Sequence, residues 1–245
     1  MENHPINDIN QSDILHHNID ALINDQSPAN NKVIHNKKIY LEKLFPRLRG
    51  VNLQNLSIDY ESISYITTPS ESKLIADIIA TKISMYKPPK ECNIVDATGG
   101  VGGDSIMLCA TFGSVISIEL DQLRYSYLKH NLEQYNFKNV TPINGDSVAI
   151  IPKLQFIDVI YIDPPWGGKN YKSKENLRLA LGDVLIETFV EKCFDKNITM
   201  CFPKIIALKL PKNYDLKILY EILNVRFDIY LYELKKLNIL LIENK

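Results

Sequence analysis

The chain lacks several features that would assign its 245 residues to a special class of protein. No apolar run approaches the roughly 20 residues of a membrane-spanning helix. The first 30 residues are polar and contain Asp and Glu, which argues against a secretory signal or transit peptide. Only four cysteines occur, without a C-x-x-C pair or a histidine at zinc spacing. We therefore expect buried thiols in a reducing compartment, no metal and no membrane contact.

A large excess of charge of either sign is also missing. The 28 basic and 29 acidic residues give a formal net charge of −1 at pH 7. A broad basic face for nucleic acid is thereby excluded, so any nucleic-acid contact must be local. The composition, 45% hydrophobic and 23% charged, excludes a disordered chain, a collagen or a coiled coil. No clear localisation signal is present, and we expect an intracellular monomer, either nuclear or cytoplasmic.

The pattern of polar and apolar residues divides the chain into three predicted regions. Residues 1–36 are rich in Asn, His and Asp and are predicted to form a flexible polar arm. Residues 37–90 are predicted to form a helical extension, with a short helix that ends before Pro46. A longer helix in this extension has Thr68 as its cap, Pro69 at its first position and Pro88 at its end. Residues 91–245 form the main domain.

Strands and helices alternate through the main domain. Hydrophobic periodicity predicts strands over 92–97, 114–119, 140–144, 157–162, 205–210, 226–233 and 237–243. Helices are predicted over 104–111, 121–136, 182–194 and 214–223. Repeated strand–helix units imply a parallel sheet with helices on both faces, and the last two strands imply an antiparallel hairpin at its edge. The prediction is therefore a Rossmann-like α/β fold with a seven-stranded, mostly parallel sheet.

A glycine-rich turn, D-A-T-G-G-V-G-G-D over residues 96–104, joins the first predicted strand to its helix. Glycine permits positive φ and lets a ligand approach the backbone, and the N–H groups at a helix start are free to bind. We assign Gly100 and Gly102 to cofactor contact. Dinucleotide-binding folds hold a pyrophosphate at such a turn. Here the carboxylate of Asp96 would repel phosphate and attract a cation.

Acidic residues end the first three predicted strands. Glu119 ends the second strand, where a carboxylate can hold both ribose hydroxyls of a nucleoside, and Leu120 next to it is assigned to the same site. Asp146 follows the third strand, where the amino group of adenine could donate to it. The sulfonium and amino group of S-adenosylmethionine supply the positive charge that Asp96 favours. The set therefore predicts an S-adenosylmethionine site rather than an NAD site.

The string D-P-P-W-G-G over residues 163–168 follows the fourth predicted strand. Two prolines hold the backbone extended and remove two donors, which leaves the Asp163 carboxylate and the Pro164 carbonyl as acceptors. Two acceptors can grip the N–H bonds of an exocyclic amine on a base and aim its lone pair at a methyl group. Positioning then carries most of the rate, and no strong general base is required. The string predicts methyl transfer to a base amine.

Trp166 is the only tryptophan of the chain and lies between proline and glycine. A core tryptophan usually lies within a strand or helix, so a stacking platform for a base is the favoured interpretation. Tryptophan also gives the best cation–π surface, which would favour a positively charged base. Trp166 is therefore predicted to select the substrate, with Pro165 beside it.

Together, the glycine-rich turn and the P-P-W-G-G-x-x-Y string resemble the trimethylguanosine synthase family, whose members methylate the guanine N2 of 7-methylguanosine RNA caps. The likeness covers about residues 37–225 and includes L-P-K-N at 210–213. By motif, it implies that Phe45, Thr68, Asp96, Glu119 and Asp146 line the S-adenosylmethionine site. It further implies that Asp163 and Pro164 hold the guanine amine, Trp166 stacks on 7-methylguanine, and Tyr171 and Lys212 contact the cap phosphates. The implied partner is capped RNA.

Two alternatives remain at this point. Another amino-methyltransferase could act on adenine N6 or on ribosomal guanine N2. The messenger-RNA adenine methyltransferases share the D-P-P-W string, but in them it precedes the cofactor loop, whereas here the loop comes first. A catalytically dead cap-binding module is the second alternative, and the complete acidic set argues against it. The family often has Phe-Cys-Gly where this chain has Thr98-Gly99-Gly100, so contacts to methionine can differ.

Overall fold

A computed structural model describes residues 38–245, so the arm predicted over 1–36 lies outside the described residues. The helices are α1 Lys38–Leu44, α2 Ser62–Tyr65, α3 Pro69–Ile83, α4 Gly103–Thr111, α5 Gln122–Gln134, α6 Ser147–Ile150, α7 Ile186–Phe194 and α8 Leu216–Leu223. The strands are β1 Asn93–Asp96, β2 Ser114–Glu119, β3 Val140–Asn144, β4 Val159–Ile162, β5 Ala180–Leu181, β6 Val184–Leu185, β7 Ile205–Pro211, β8 Phe227–Glu233 and β9 Leu237–Asn244. Short 3₁₀ turns cover Leu53–Asn55, Pro89–Glu91, Ile151–Lys153 and Gly168–Ser173.

Seven strands form one sheet in the order β3-β2-β1-β4-β7-β9-β8. Strands β3, β2, β1, β4 and β7 run parallel to one another. Strand β9 runs antiparallel to both β7 and β8, and so closes the edge as a hairpin. The predicted mostly parallel, Rossmann-like sheet with a terminal hairpin is confirmed.

Two apolar cores cover the two faces of this sheet. Side chains alternate along a strand, so Val95 of β1 belongs to one core and its neighbour Ile94 to the other. Leu41, Phe45 and Ile75 of the helical extension belong to the same core as Ile94. The extension therefore shares a core with the sheet, and the domain boundary near residue 90 stays a prediction.

The helix predicted over 182–194 begins later than expected, at Ile186. The residues before it form a small hairpin in which Ala180 pairs with Leu185 across a turn. Gly182 has φ +56 in this turn, a conformation that glycine adopts without strain. Strands of two residues are too short to give a periodic signal, which explains the error. Between the two predicted helices of the extension, the structure also contains the short helix α2.

Across residues 38–245, no helix is both long and apolar enough to span a bilayer.

Candidate active site

The predicted site residues meet at the carboxyl edge of the sheet. Asp96 is the last residue of β1, Glu119 is the last of β2, and Asp163 directly follows β4. Strand β1 lies between β2 and β4, and Asp96 is in register with Tyr161 of β4. The loops after these three strands are therefore neighbours, as expected for a ligand site in an open α/β sheet.

The glycine-rich loop is packed tightly on one side and open on the other. A Cβ on Gly99 would lie 2.4 Å from the hydroxyl of Ser117, so the loop approaches β2 as closely as backbone allows. Gly100 and Gly102 have φ of +56 and +100, which strongly favour glycine. A Cβ on Gly100 would meet no atom closer than 4.0 Å, whereas one on Gly102 would lie 3.4 Å from Leu128. Of the two, Gly100 thus offers the more accessible backbone.

Asp96 lies beneath this loop and is only 1% exposed. Its carboxylate accepts hydrogen bonds from the Ser105 hydroxyl at 2.5 Å and the Thr98 N–H at 3.1 Å. Burial raises the pKa of Asp96 to about 7, although the hydrogen bond from Ser105 acts in the opposite direction. Asp96 thus organises the turn from below, and its contact with a cofactor stays a prediction.

Glu119 ties the end of β2 to the glycine-rich loop. Its two oxygens accept from the backbone N–H groups of Gly100 and Asp121, each at 2.8 Å. Burial raises the pKa of Glu119, and these backbone hydrogen bonds oppose the rise. Leu120 beside it is 68% exposed, so an apolar side chain and a carboxylate lie next to each other at this edge. Asp146 is exposed and caps α6 by accepting from Val148 N–H at 2.9 Å.

The two predicted cofactor residues of the helical extension differ in accessibility. Thr68 caps α3, as predicted, and its hydroxyl donates to the Glu71 carboxylate at 2.7 Å. Its side chain is half-buried. Phe45 is 1% exposed and packs within the apolar core. A direct contact of either residue with the cofactor stays a prediction.

Asp163 is held at both its backbone and its side chain. Its N–H donates to the Thr98 hydroxyl at 2.9 Å, and its Oδ2 accepts from Nζ of Lys209 at 2.6 Å. Burial raises the pKa of Asp163 to about 6, and the Lys209 ammonium acts against this rise. The side chain keeps 21% of its surface exposed. Pro164 is buried and Pro165 is exposed.

Trp166 is half-buried and packs against both apolar cores. Tyr171 meets it edge-on, with ring centroids 5.1 Å apart and planes at 71°. The indole N–H is buried beside Asp163, where it stabilises the carboxylate without completing a hydrogen bond. The surroundings thus fix the orientation of the ring while part of its surface stays exposed.

The L-P-K-N segment anchors the loop that carries Tyr171. The side-chain amide of Asn213 donates to the carbonyl oxygens of Tyr171 and Lys174, at 2.7 and 2.6 Å. Lys212 is exposed, and its Nζ donates to Asn238 at 2.9 Å. The structure therefore gives Asn213 a role in holding the loop, while phosphate contacts by Tyr171 and Lys212 stay predictions.

Four residues that the sequence analysis did not single out form a cluster beside Asp163: Thr67, Asp104, Tyr161 and Lys209. Lys209 Nζ donates to Thr67 and lies 3.8 Å from an oxygen of Asp104. That oxygen also accepts from the hydroxyls of Thr67 at 2.6 Å and Tyr161 at 2.9 Å. One signal could have revealed the cluster, because Lys209 is the single charged residue of the otherwise apolar β7.

The donor set at this edge fits S-adenosylmethionine. The Glu119 carboxylate suits ribose hydroxyls, the exposed Leu120 suits the face of adenine, and the open backbone at Gly100 admits a ligand. The carboxylates of Glu119 and Asp163 complement a sulfonium. Among the described residues, no group of three or more His, Cys, Asp or Glu side chains could hold a metal ion.

Comparisons with known proteins agree with this chemistry. The model of the RNA cap guanine-N2 methyltransferase family matches residues 91–239. An uncharacterised mimivirus protein, L320 of Acanthamoeba polyphaga mimivirus, is 32% identical over 63% of this chain and 68% of its own length. Trimethylguanosine synthase of Schizosaccharomyces pombe is 35% identical over 49% of this chain and 50% of its own. This chain therefore spans only about half of the yeast relative.

More distant proteins share parts of the same domain. Ribosomal RNA small subunit methyltransferase J of Rhodopseudomonas palustris is 27% identical over 54% of this chain and 64% of its own. The structure of an S-adenosylmethionine-dependent O-methyltransferase from Thermotoga maritima superposes with a TM-score of 0.53 at 15% identity, over 74% of this chain and 67% of that one. This last likeness shows the fold alone. From the family match and the fold, this chain is an S-adenosylmethionine-dependent methyltransferase that belongs to the RNA cap guanine-N2 methyltransferase family.

Proposed function

We propose that this enzyme methylates the exocyclic N2 amine of 7-methylguanosine in an RNA 5′ cap, forming 2,7-dimethylguanosine and, after a second transfer, 2,2,7-trimethylguanosine. The observation that carries the proposal is the placement of the Asp163 carboxylate directly beside the half-buried Trp166 ring, at the end of β4. A hydrogen-bond acceptor and an aromatic face are what a base amine needs. Family membership points to the same substrate.

The base amine is a poor nucleophile because its lone pair is delocalised into the ring. In our proposal, Asp163 Oδ1 and the Pro164 carbonyl accept from its two N–H bonds. This grip favours a pyramidal nitrogen whose lone pair points away from both acceptors. The prolines fix the backbone of this segment, so the acceptors are in place before the substrate binds.

S-adenosylmethionine supplies the electrophilic methyl group when it is bound. On transfer, the guanine nitrogen would gain the methyl group as the sulfur–carbon bond broke, and it would take over the positive charge of the sulfonium. The alkylated nitrogen then loses a proton, and the Asp163 carboxylate already accepts a hydrogen bond from it. A pKa of about 6 lets Asp163 be mainly ionised at neutral pH and yet take up that proton.

The test compares caps that differ only at N7. N7-methylation makes guanine cationic, and a desolvated cation–π contact with Trp166 is worth about 2 kcal/mol or more. We therefore expect a preference of about 30-fold for a 7-methylguanosine triphosphate dinucleotide over its unmethylated counterpart. The products are read by mass spectrometry at equal substrate concentrations. Equal rates on the two caps would contradict the proposal.

A second candidate is methylation of a base amine in ribosomal RNA. The similarity to the ribosomal RNA methyltransferase of R. palustris favours it. A ribosomal RNA fragment included in the same assay separates the two candidates, because the cap proposal predicts methyl incorporation on the cap dinucleotide and little on the fragment.

For the cofactor site, we expect Glu119→Ala to weaken S-adenosylmethionine binding about 10- to 100-fold, because a hydrogen bond to a charged group contributes about 1.5–3 kcal/mol. Isothermal titration calorimetry measures the dissociation constant. Asp121→Asn is the matched control, since it removes a neighbouring negative charge and keeps the oxygen that caps α5. The control should bind like wild type, and an unchanged affinity in Glu119→Ala would remove Glu119 from the site.

A further inference from the structure

Lys209 occupies a position where a charged residue is costly. It lies in β7, whose seven residues are all buried, and is itself only 4% exposed. It follows Ile205 and Ala207 on the face of the sheet that packs against the helical extension. An amino group in such surroundings is unfavourable unless it is paired and hydrogen-bonded. An apolar residue would complete the core equally well, so the lysine calls for a functional explanation.

The ammonium of Lys209 bridges two parts of the molecule. On one side it donates to Thr67, whose hydroxyl donates onward to Asp104 at 2.6 Å. On the other side it donates to Asp163 Oδ2 at 2.6 Å. Thr67, just before α3, and Asp104, in α4, hold the ammonium in place. The ammonium in turn fixes the position of the Asp163 carboxylate.

The two oxygens of Asp163 are thereby made different. Oδ2 accepts from Lys209, whereas the indole N–H of Trp166, which is buried beside the carboxylate, completes no hydrogen bond and so leaves Oδ1 available. Because 21% of the side chain is exposed, a substrate can reach the carboxylate. We infer that Lys209 is a positioning residue for methyl transfer, which holds Asp163 by one oxygen and so presents the other to the substrate amine. This inference rests on the proposed role of Asp163 as the amine acceptor.

The electrostatic consequence follows from the groups that face Asp163. These groups are Lys209 from β7, Asp104 from α4, Tyr161 from β4, Asp96 from β1 and the indole of Trp166. Lys209 is the one cation among them, and it lowers the pKa of Asp163 against burial and Asp104. The two carboxylates in turn raise the pKa of Lys209 despite its burial, so the ammonium persists at neutral pH. Removing the ammonium should therefore raise the pKa of Asp163.

The experiment measures methylation rates between pH 5 and 9 for wild type, Lys209→Met and Lys209→Arg. An ionised Asp163 is the active form, so the wild-type rate should fall as the pH drops through about 6. In Lys209→Met we expect the acid limb of the pH–rate profile to move upward by about two pH units, so that kcat at pH 7 falls about 10-fold and recovers at high pH. The KM for S-adenosylmethionine should stay within about twofold. Lys209→Arg keeps the charge and should return the acid limb of the pH–rate profile to its wild-type position.

Lys82→Met is the matched control, because Lys82 is also a buried lysine and pairs with Glu243 at 2.8 Å away from the site. This variant shows the general effect of removing a buried ion pair, and the acid limb of its pH–rate profile should stay where it is in the wild type. In an Asp163→Asn background, Lys209→Met should add little further loss. An unmoved limb in Lys209→Met, or an equal loss in the Asp163→Asn background, would overturn the inference.

Carbon-13 NMR of the aspartate carboxyls gives a readout that needs no turnover. The Asp163 signal is assigned by its loss in Asp163→Asn, and it should titrate at higher pH in Lys209→Met than in wild type. Unchanged titration would refute the inference whatever the substrate is. A wild-type enzyme that ignores the 7-methylguanosine cap but methylates another amine would refute only the proposed function, and the pH profiles are then measured on that amine.

Discussion

Asp163→Ala should lower kcat on the 7-methylguanosine cap by about 100- to 1000-fold, the range seen when one preorganised hydrogen-bonding group is removed from an active site. The KM should change far less, because the acceptor is needed most as the amine becomes a nucleophile. Steady-state kinetics with the cap dinucleotide measure both parameters. A wild-type rate in this variant would rule out Asp163 as the hydrogen-bond acceptor for the substrate amine.

Asp158→Ala is the control for this substitution. Asp158 lies just before the other end of β4, is similarly buried, and pairs with Lys87 at 2.8 Å. Its removal therefore reproduces the loss of a paired carboxylate next to the same strand and should leave kcat unchanged. Asp163→Asn keeps an accepting oxygen and should retain partial activity. Because Asp163→Ala also leaves Lys209 unpaired, the double variant with Lys209→Met shows how much of the loss comes from that buried charge.

Trp166→Ala should remove most activity on the 7-methylguanosine cap and abolish the preference for it over the unmethylated cap. Stacking of a base on an aromatic ring contributes about 1–3 kcal/mol, and the cation–π contact adds to it. Rates on both caps, measured in parallel, give the preference as a ratio. A variant that is slow but keeps the full preference would show that another residue reads the methyl group.

Trp166→Phe is the matched control for this prediction. The ring packs against both apolar cores, so its removal also creates a cavity that lowers stability. Phenylalanine keeps an aromatic face and part of the packing, and should retain some activity with a weaker preference. A thermal melt of each variant separates loss of folded protein from loss of recognition.

Much of the fold was predictable because its signals are local. Strands such as Val159–Ile162 are buried and free of charge throughout, as parallel strands covered on both faces usually are. Thr68 and Pro69 marked the start of α3 because capping depends only on adjacent residues. The prediction was wrong over 182–185, where a tight turn at Gly182 forms a small hairpin before α7. A two-residue strand has no periodicity of its own.

The order of the acidic strand ends, the glycine-rich turn and the D-P-P-W string could be predicted from the sequence alone, since each depends on neighbours in the chain. Which of these carboxylates are accessible depends on how distant segments pack together. Asp96 is enclosed beneath the loop. Asp163 is partly exposed, and one of its oxygens accepts a hydrogen bond from Lys209, 46 residues away. Side chains from α4, β4 and β7 meet there because the sheet places β4 beside β7 and packs the helices over them. Contacts between distant segments leave no local pattern, so a lysine in an apolar strand was the sole trace of this cluster in the sequence.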